Sequence, residues 1–174
     1  MQEEERLAEQ AINGDDEAFL KLIHLYKIDL YKTALSYLRN EGEALEAIQE
    51  VTYRAYKKIH TVRDASFIKT WLIRIMINYC NDFLKKKKRL MFVEEMIQSQ
   101  PVSETHMEME IKDAMQGLDE RSREILTLKY FHDLKIKDIA KTLDCPEGTI
   151  KTWLNKALKS LREKLGEKGG NLNV

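Results

Sequence analysis

Between Thr149 and Lys159 the chain sets Lys151, Thr152, Asn155, Lys156 and Lys159 at spacings that a helix gathers on one side. Ammonium, hydroxyl and amide groups so arranged hydrogen-bond to phosphates and to base edges in a major groove. Thr149, near the start of the same helix, offers a hydroxyl or a backbone N–H to a phosphate. Earlier in the chain, Phe67, Trp71, Arg74, Asn78 and Lys85 form a second stripe. Its rings can stack on unpaired bases while its cations and amide meet phosphates and base edges. Both sets have a plainer interpretation. A Lys/Asn face is common on any solvated helix, and a helix-borne Trp such as Trp71 serves as core as often as it serves as a stacking platform.

Recognised catalytic constellations do not occur. There is no H-E-x-x-H, glycine-rich phosphate loop or nucleophile elbow, and His24, His60, His106 and His132 fall in unrelated local settings. Cys80 and Cys145 sit singly in helical patterns, away from C-x-x-C spacing, and read as small core residues rather than metal ligands or disulfide partners. The expectation is a protein that is not an enzyme, with no metal, cofactor or small-molecule substrate.

Helices must position these groups. Seven Gly and two Pro in 174 residues, with a third of the chain charged, argue for an all-α protein and against a sandwich or barrel. An amphipathic stretch from Glu3 to about Asn13 ends at Gly14, and Asp15 or Asp16 can cap a second helix to about Arg39. Asn40-Glu41-Gly42 reads as the next break. A third helix, Glu43 to about His60, spaces Leu45, Ile48, Val51, Thr52 and Ala55 helically, and a fourth runs from near Ser66 to the Lys85–Arg89 cluster. Its inward face holds Leu72, Ile73, Met76, Cys80 and Phe83. Residues 1–90 thus form a four-helix domain, and the acidic, Met-rich 91–112 segment, interrupted by Ser99-Gln100-Pro101, a flexible linker.

Residues 113–174 hold three apolar stretches, about 113–131, 135–143 and 147–165, separated by short turns. Short helix, tight turn, longer helix is the helix-turn-helix arrangement, and the small Ala140 permits a close crossing. Ile150, Leu154, Ala157, Leu158, Leu161 and Leu165 group on the last helix's buried face, and Pro146 suits its first turn.

The net charge is zero, from 29 basic and 29 acidic residues, but the signs are segregated. Residues 1–50 carry −7, 51–90 carry +9, 91–120 carry −7 and 121–174 carry +5. Alternating blocks suit a nucleic-acid protein whose acidic surfaces meet a different partner, while charges scattered over solvated faces are the plain alternative. No apolar run is long enough to span a bilayer and the first residues are acidic, so the expectation is a soluble, cytoplasmic protein.

The second half carries a resemblance. Leu118-Asp119-Glu120-Arg121-Ser122-Arg123-Glu124-Ile125-Leu126, Asp138-Ile139-Ala140 and Pro146-Glu147-Gly148-Thr149-Ile150-Lys151-Thr152-Trp153-Leu154-Asn155-Lys156-Ala157 closely resemble the C-terminal domain of extracytoplasmic-function (ECF) sigma factors. Thr152 stands where that family usually has Ser, and Trp153 and Lys156 where it has Arg. The likeness extends to Leu45-Glu46-Ala47-Ile48-Gln49-Glu50-Val51, similar to the family's core-polymerase-binding helix, and to Phe67 through Asn78, similar to its Phe-x-Thr-Trp-Leu-x-Arg-Ile-x-x-Asn helix.

The resemblance implies two-part promoter recognition. Leu45, Ile48, Gln49 and Glu50 would bind core RNA polymerase, and Arg63, Phe67, Trp71, Arg74 and Asn78 the minus-10 element. Tyr53, Arg54, Tyr56 and Lys57 would help hold promoter DNA open, and Thr149, Lys151, Thr152, Asn155, Lys156 and Lys159 would read the minus-35 element. It also implies an anti-sigma factor, often membrane-bound, and a stress-response regulon. The protein would then be at the nucleoid in holoenzyme and near the membrane when sequestered. A stand-alone helix-turn-helix regulator, dimerising through its first domain, and a pure protein-interaction adaptor are the competing readings.

Overall fold

Helix boundaries follow local chemistry. The computed structural model describes residues 2–94, 111 and 113–169, and among them the regular elements are all helical. Gln2–Ile12 forms α1, ended by a turn in which Gly14 takes φ +95°, a conformation that costs glycine little. Asp15 then accepts the Ala18 amide at 2.9 Å and starts α2, Asp16–Leu38. Asn40 does the same for the Glu43 amide at 2.9 Å, starting α3, Glu41–Lys58. Each cap is worth about 1 kcal/mol by satisfying an otherwise orphaned N–H. The break expected at 40–42 falls instead on Arg39 and Asn40: Arg39 ends α2 at φ +55° and Asn40 caps α3, to which Glu41 and Gly42 already belong.

Two 3₁₀ turns, Ile59–Thr61 and Ala65–Phe67, flank the loop that carries Arg63. The second is capped by Asp64, whose carboxylate accepts the Ser66 amide and hydroxyl. It leads into α4, Ile68–Glu94, which overruns the basic cluster and takes 91–94 from the expected linker. The rest of that linker falls on 95–110 and 112, outside the described residues, and on residue 111, which is helical.

Helix α2 packs on α1, α3 and α4, and α3 on α4. Leu22, Leu30 and Tyr37 from α2 meet Leu72, Ile73, Met76 and Ile77 from α4 in a core from which solvent is excluded. Helix α3 buries Ala44, Ala47, Val51 and Ala55, a seam of mostly small side chains. Of the other helically spaced residues, Leu45 is exposed and Thr52 half-buried, its hydroxyl donating to the Ile48 carbonyl at 2.7 Å. Alanines let helices approach closely, so the seam runs along them and turns Leu45 outward.

The chain divides into two compact units, Met1–Glu94 and Glu95–Val174. In the second, the expected continuous helix over 113–131 is interrupted. Residues 113–116 are helical; Asp119 then accepts the Ser122 amide at 3.0 Å and caps a new helix, α5, Glu120–Leu126. A π turn, Thr127–Phe131, follows, closed by the His132 amide donating to the Thr127 carbonyl at 3.1 Å. Ile136–Leu143 is α6 and Glu147–Gly169 is α7. Helix α7 packs on α5 and α6 through Ile150, Leu154 and Ala157, against a core holding Ile125, Leu128 and Ile139. Leu158, Leu161 and Leu165 are only half-buried, because α7 continues past the short helices that cover its start.

Candidate functional site

The turn between α6 and α7 sets the outward face of α7. Asp144 adopts φ +50°, ψ +53°, and its amide donates to the Lys141 carbonyl, while the Cys145 amide donates to the Ala140 carbonyl at 3.0 Å. Pro146 occupies the capping position rather than the first turn, since its carbonyl accepts from both Thr149 and Ile150. Cys145 is half-buried in this turn instead of in the core, because it lies between helices rather than on an apolar face.

With Ile150, Leu154 and Ala157 inward, Lys151, Thr152, Asn155, Lys156 and Lys159 are all exposed, and Thr149 half-exposed. The structure thus brings the six expected residues to one outward side. The Thr152 hydroxyl donates to the Gly148 carbonyl at 3.0 Å, so its oxygen is presented outward as an acceptor. Lys159 lies 3.9 Å from Glu163 in a solvated pair that adds little stability.

One flank of this face is built from α5. The Arg121 guanidinium lies 4.8 Å from the centre of the Trp153 ring, and its Nη1 donates to Glu124 at 3.0 Å. Nearby, the Asp119 carboxyl is held below its ordinary range, first by the Ser122 amide it accepts, with Lys156 among the further causes. Sequence reasoning missed Arg121. Only its place in the motif pointed to it, and nothing in the spacing shows that it meets Trp153.

On α4, Leu72, Ile73, Met76 and Cys80 are buried as expected, and Ile77 joins them. Burial pushes the Cys80 thiol up to about 12. Phe83 is half-buried beside Tyr79, with ring centres 6.1 Å apart. The opposite stripe is graded: Asn78 and Lys85 are exposed, while Phe67, Trp71 and Arg74 are half-buried. Trp71 is therefore neither fully buried core nor a fully exposed platform. Arg63, in the loop before α4, is exposed.

Helix α3 splits its candidates between two flanks. Arg54 pairs with Glu50 at 2.8 Å and lies 5.1 Å over the Tyr79 ring of α4, so that Glu50 is half-buried and engaged rather than a free acidic edge. Leu45, Gln49, Tyr53 and Tyr56 share the other flank: Leu45 is 52% exposed and Tyr53 53%. Ile48 is half-buried. Lys57 sits 4.4 Å over the Tyr53 ring. Tyr56 packs edge-on against Phe19 and donates its hydroxyl to Asp16 at 2.9 Å, which raises the hydroxyl's pKa.

Asp16, Phe19, Leu20, Gln49, Thr52, Tyr53 and Tyr56 line a shallow cavity of about 450 Å³ between α2 and α3. Leu20, 63% exposed, is a member that sequence reasoning overlooked; its signal was an apolar residue out of phase with α2's buried set.

No group of three His, Cys, Asp or Glu suited to a metal occurs among the described residues, and none of their helices is long and apolar enough to cross a membrane. His24 and His60 are exposed and His132 half-buried, while His106 lies outside the described residues.

These two units match known families. Residues 22–90 match Sigma-70 region 2, and residues 108–161 match Sigma-70 region 4. The RNA polymerase sigma factor SigV of Bacillus subtilis (strain 168) is 33% identical over 143 residues, covering 80% of this chain and 86% of that protein. The ECF RNA polymerase sigma factor SigW of the same organism is 28% identical over 174 residues, covering 90% and 93%. The chain belongs to the sigma-70 family of RNA polymerase sigma factors, in its extracytoplasmic-function group. Its fold is that of the sigma factor RpoE in complex with the anti-sigma factor NepR from Bartonella quintana, with TM-score 0.66, 23% identity and coverage of 85% and 96%. It is likewise similar to CnrH in complex with the cytosolic domain of CnrY, with TM-score 0.68, 20% identity and coverage of 94% and 97%.

Proposed function

We infer that this protein binds core RNA polymerase and directs it to specific promoters to begin transcription. The observation that carries the reading is the pairing, on one chain, of a region-2 unit and a region-4 unit. Catalysis then belongs to the polymerase. The expected partners are core polymerase, promoter DNA and an anti-sigma factor, and the protein acts in the cytoplasm, at the nucleoid when in holoenzyme.

Exposed Leu45 and Gln49, with the acidic start of α3, suit a basic helical partner, and this flank is the polymerase face. Asn78, with the edges of Phe67, Trp71 and Arg74 and the neighbouring Arg63, suits unpaired bases and phosphates of the minus-10 element. Tyr53 and Lys57 hold open DNA from the surface, whereas Arg54 and Tyr56, also exposed, are bonded to residues of the same unit and act by fixing α3 against α4 and α2. Helix α7 enters the major groove of the minus-35 element. Two weak half-sites on one chain gain affinity through effective concentration, and mounting both on polymerase sets the spacing between the elements. A stress-response regulon and an anti-sigma factor held at the membrane complete this proposal.

The test is transcription in vitro. Purified protein mixed with core polymerase and a library of promoter fragments is expected to give initiation at a defined class of start sites. Tight sequence-specific binding to free duplex, without polymerase association, would instead establish a stand-alone regulator.

A further inference from the structure

On the flank of α3 that carries Arg54, helices α3 and α4 leave a cavity of about 500 Å³. A space of that size falls within the range of small-molecule sites, about 300 to 1,000 Å³. Of the residues that line it, Glu43, Tyr79, Asp82, Phe83 and Lys86 are not among the candidate promoter or polymerase contacts.

Three kinds of chemistry meet there. One is aromatic: Tyr79 and Phe83, both half-buried, stand with ring centres 6.1 Å apart and planes tilted by 32°. The second is basic. Lys86 is exposed, Arg54 lies 5.1 Å over the Tyr79 ring, and Lys87 donates to Oε1 of Glu43. The third is an acceptor in need of a donor: Oε2 of Glu43 is buried with no partner among the described residues. A buried carboxylate oxygen left without a donor costs free energy, which a ligand carrying an N–H recovers.

We propose that this cavity binds a free purine nucleotide, its base on Tyr79 and Phe83, its amino group at Glu43 and its phosphates at Lys86.

The three chemistries together select that class. Flat bases stack on aromatic side chains, and a purine covers more of two neighbouring rings than a pyrimidine does. Adenine and guanine each carry an exocyclic amino group, the donor that Glu43 lacks. Phosphates bring the negative charge that Lys86 attracts, and ribose hydroxyls can donate to the exposed Asp82. Arg54 is already paired with Glu50, and Lys87 with Glu43, so Lys86 is left as the principal phosphate contact. An inorganic anion would leave the rings and the buried oxygen unused, and an apolar ligand would strand the charges.

The proposal does not depend on promoter recognition, so it is tested on the full-length protein without polymerase or DNA. ATP, GTP, CTP and inorganic triphosphate are titrated by calorimetry, with the melting temperature as a second readout. ATP or GTP should bind one to one and raise the melting temperature as the site fills. CTP should bind more weakly. The analogue without the amino group, ITP in place of GTP or purine riboside triphosphate in place of ATP, should lose about tenfold in affinity. Lys86→Ala and Phe83→Leu should each weaken binding severalfold, and the melting temperature of nucleotide-free Lys86→Ala should match the parent, because Lys86 is exposed.

Equal affinity for ATP, CTP and inorganic triphosphate would reduce the cavity to a cluster of cations and overturn the proposal. Binding that survives both substitutions overturns it, as does the absence of saturation by ATP or GTP in the millimolar range. If a single-stranded oligonucleotide binds where free nucleotides do not, and Phe83→Leu removes that binding, the cavity takes an unpaired base of DNA and the proposal has failed.

Discussion

The outward faces of α7 and α4 both mix cations with an amide, yet they differ in how much of their chemistry the protein itself consumes. On α7, Lys151, Asn155 and Lys156 are exposed, and Thr152 spends only its proton on a backbone carbonyl. In the first unit, the stripe on α4 is half-buried over Phe67, Trp71 and Arg74, and its neighbour α3 commits Arg54 to Glu50 and Tyr79, and Tyr56 to Asp16. A recognition helix resting on two short helices leaves a wide free arc. A helix inside a four-helix packing leaves a narrow one, and side chains at its borders must serve stability and recognition together. The first unit should therefore tolerate substitution poorly even at candidate contact positions, whereas the second should separate binding from folding.

The largest effects should come from the cores. Leu72→Ala in the first unit and Ile150→Ala in the second each remove a side chain with no exposed surface and should cost about 2 to 5 kcal/mol in denaturant unfolding. Equal loss of promoter use in both would leave the comparison intact; a mild Ile150→Ala would show that α7 is held mainly by its later turns. Next come the readers. Asn155→Ala or Lys156→Ala should weaken use of the minus-35 element by about 1 to 3 kcal/mol, measured by binding of holoenzyme to promoter variants, with thermal stability unchanged. Asn78→Ala, exposed on α4, should impair minus-10 recognition while leaving polymerase binding intact; loss of both would make Asn78 structural.

Smaller again is the cap of α5. Asp119→Ala should cost about 0.5 to 2 kcal/mol. Because the folded protein holds this carboxyl below its ordinary value of 3.8, its contribution is present above that pH and lost as the pH falls below it. A flat stability profile from about one unit above that ordinary value to about two units below it would contradict the hydrogen bond from Ser122. Tyr56→Phe removes one exposed hydrogen bond to Asp16 and should leave the unfolding midpoint almost unchanged, with polymerase binding retained.

The two cysteines give the smallest and cleanest contrast. A thiol reagent at mild pH should modify Cys145 in its turn well before Cys80, whose thiol is buried and pushed up to about 12. Since the unfolded thiol ionises near 9, stability owed to Cys80 remaining neutral is complete below that pH and lost as the pH rises toward 12. Simultaneous modification of the two would place Cys80 in a region that opens readily.

Much of the fold is legible in the order of residues. The capping role of Asp15 and the helical spacing of Leu72, Ile73, Met76 and Cys80 follow from local rules, and so does the outward side of α7, because one buried stripe on a helix dictates its complement. Illegible were features that depend on which helix stands opposite. Leu45 and Val51 look alike as apolar residues, yet the alanine seam of α3 buries one and exposes the other. The break at 117–119 was hidden because apolar spacing continues across it, while Asp119 acts by accepting the Ser122 amide and hydroxyl.

The sequence by itself determined that this protein is helical, since periodicity and capping chemistry act within a few turns of chain, and its motifs carried the likeness to the sigma factors. Only the tertiary structure decided which cations are free and which are committed. Arg54 and Arg121 each sit within one helical turn of a glutamate in the sequence; folding then sets one over Tyr79 of α4 and the other over Trp153 beside the outward face of α7. The physical reason is that a long flexible side chain takes its role from the partners within its reach, and partners distant in sequence meet only through folding.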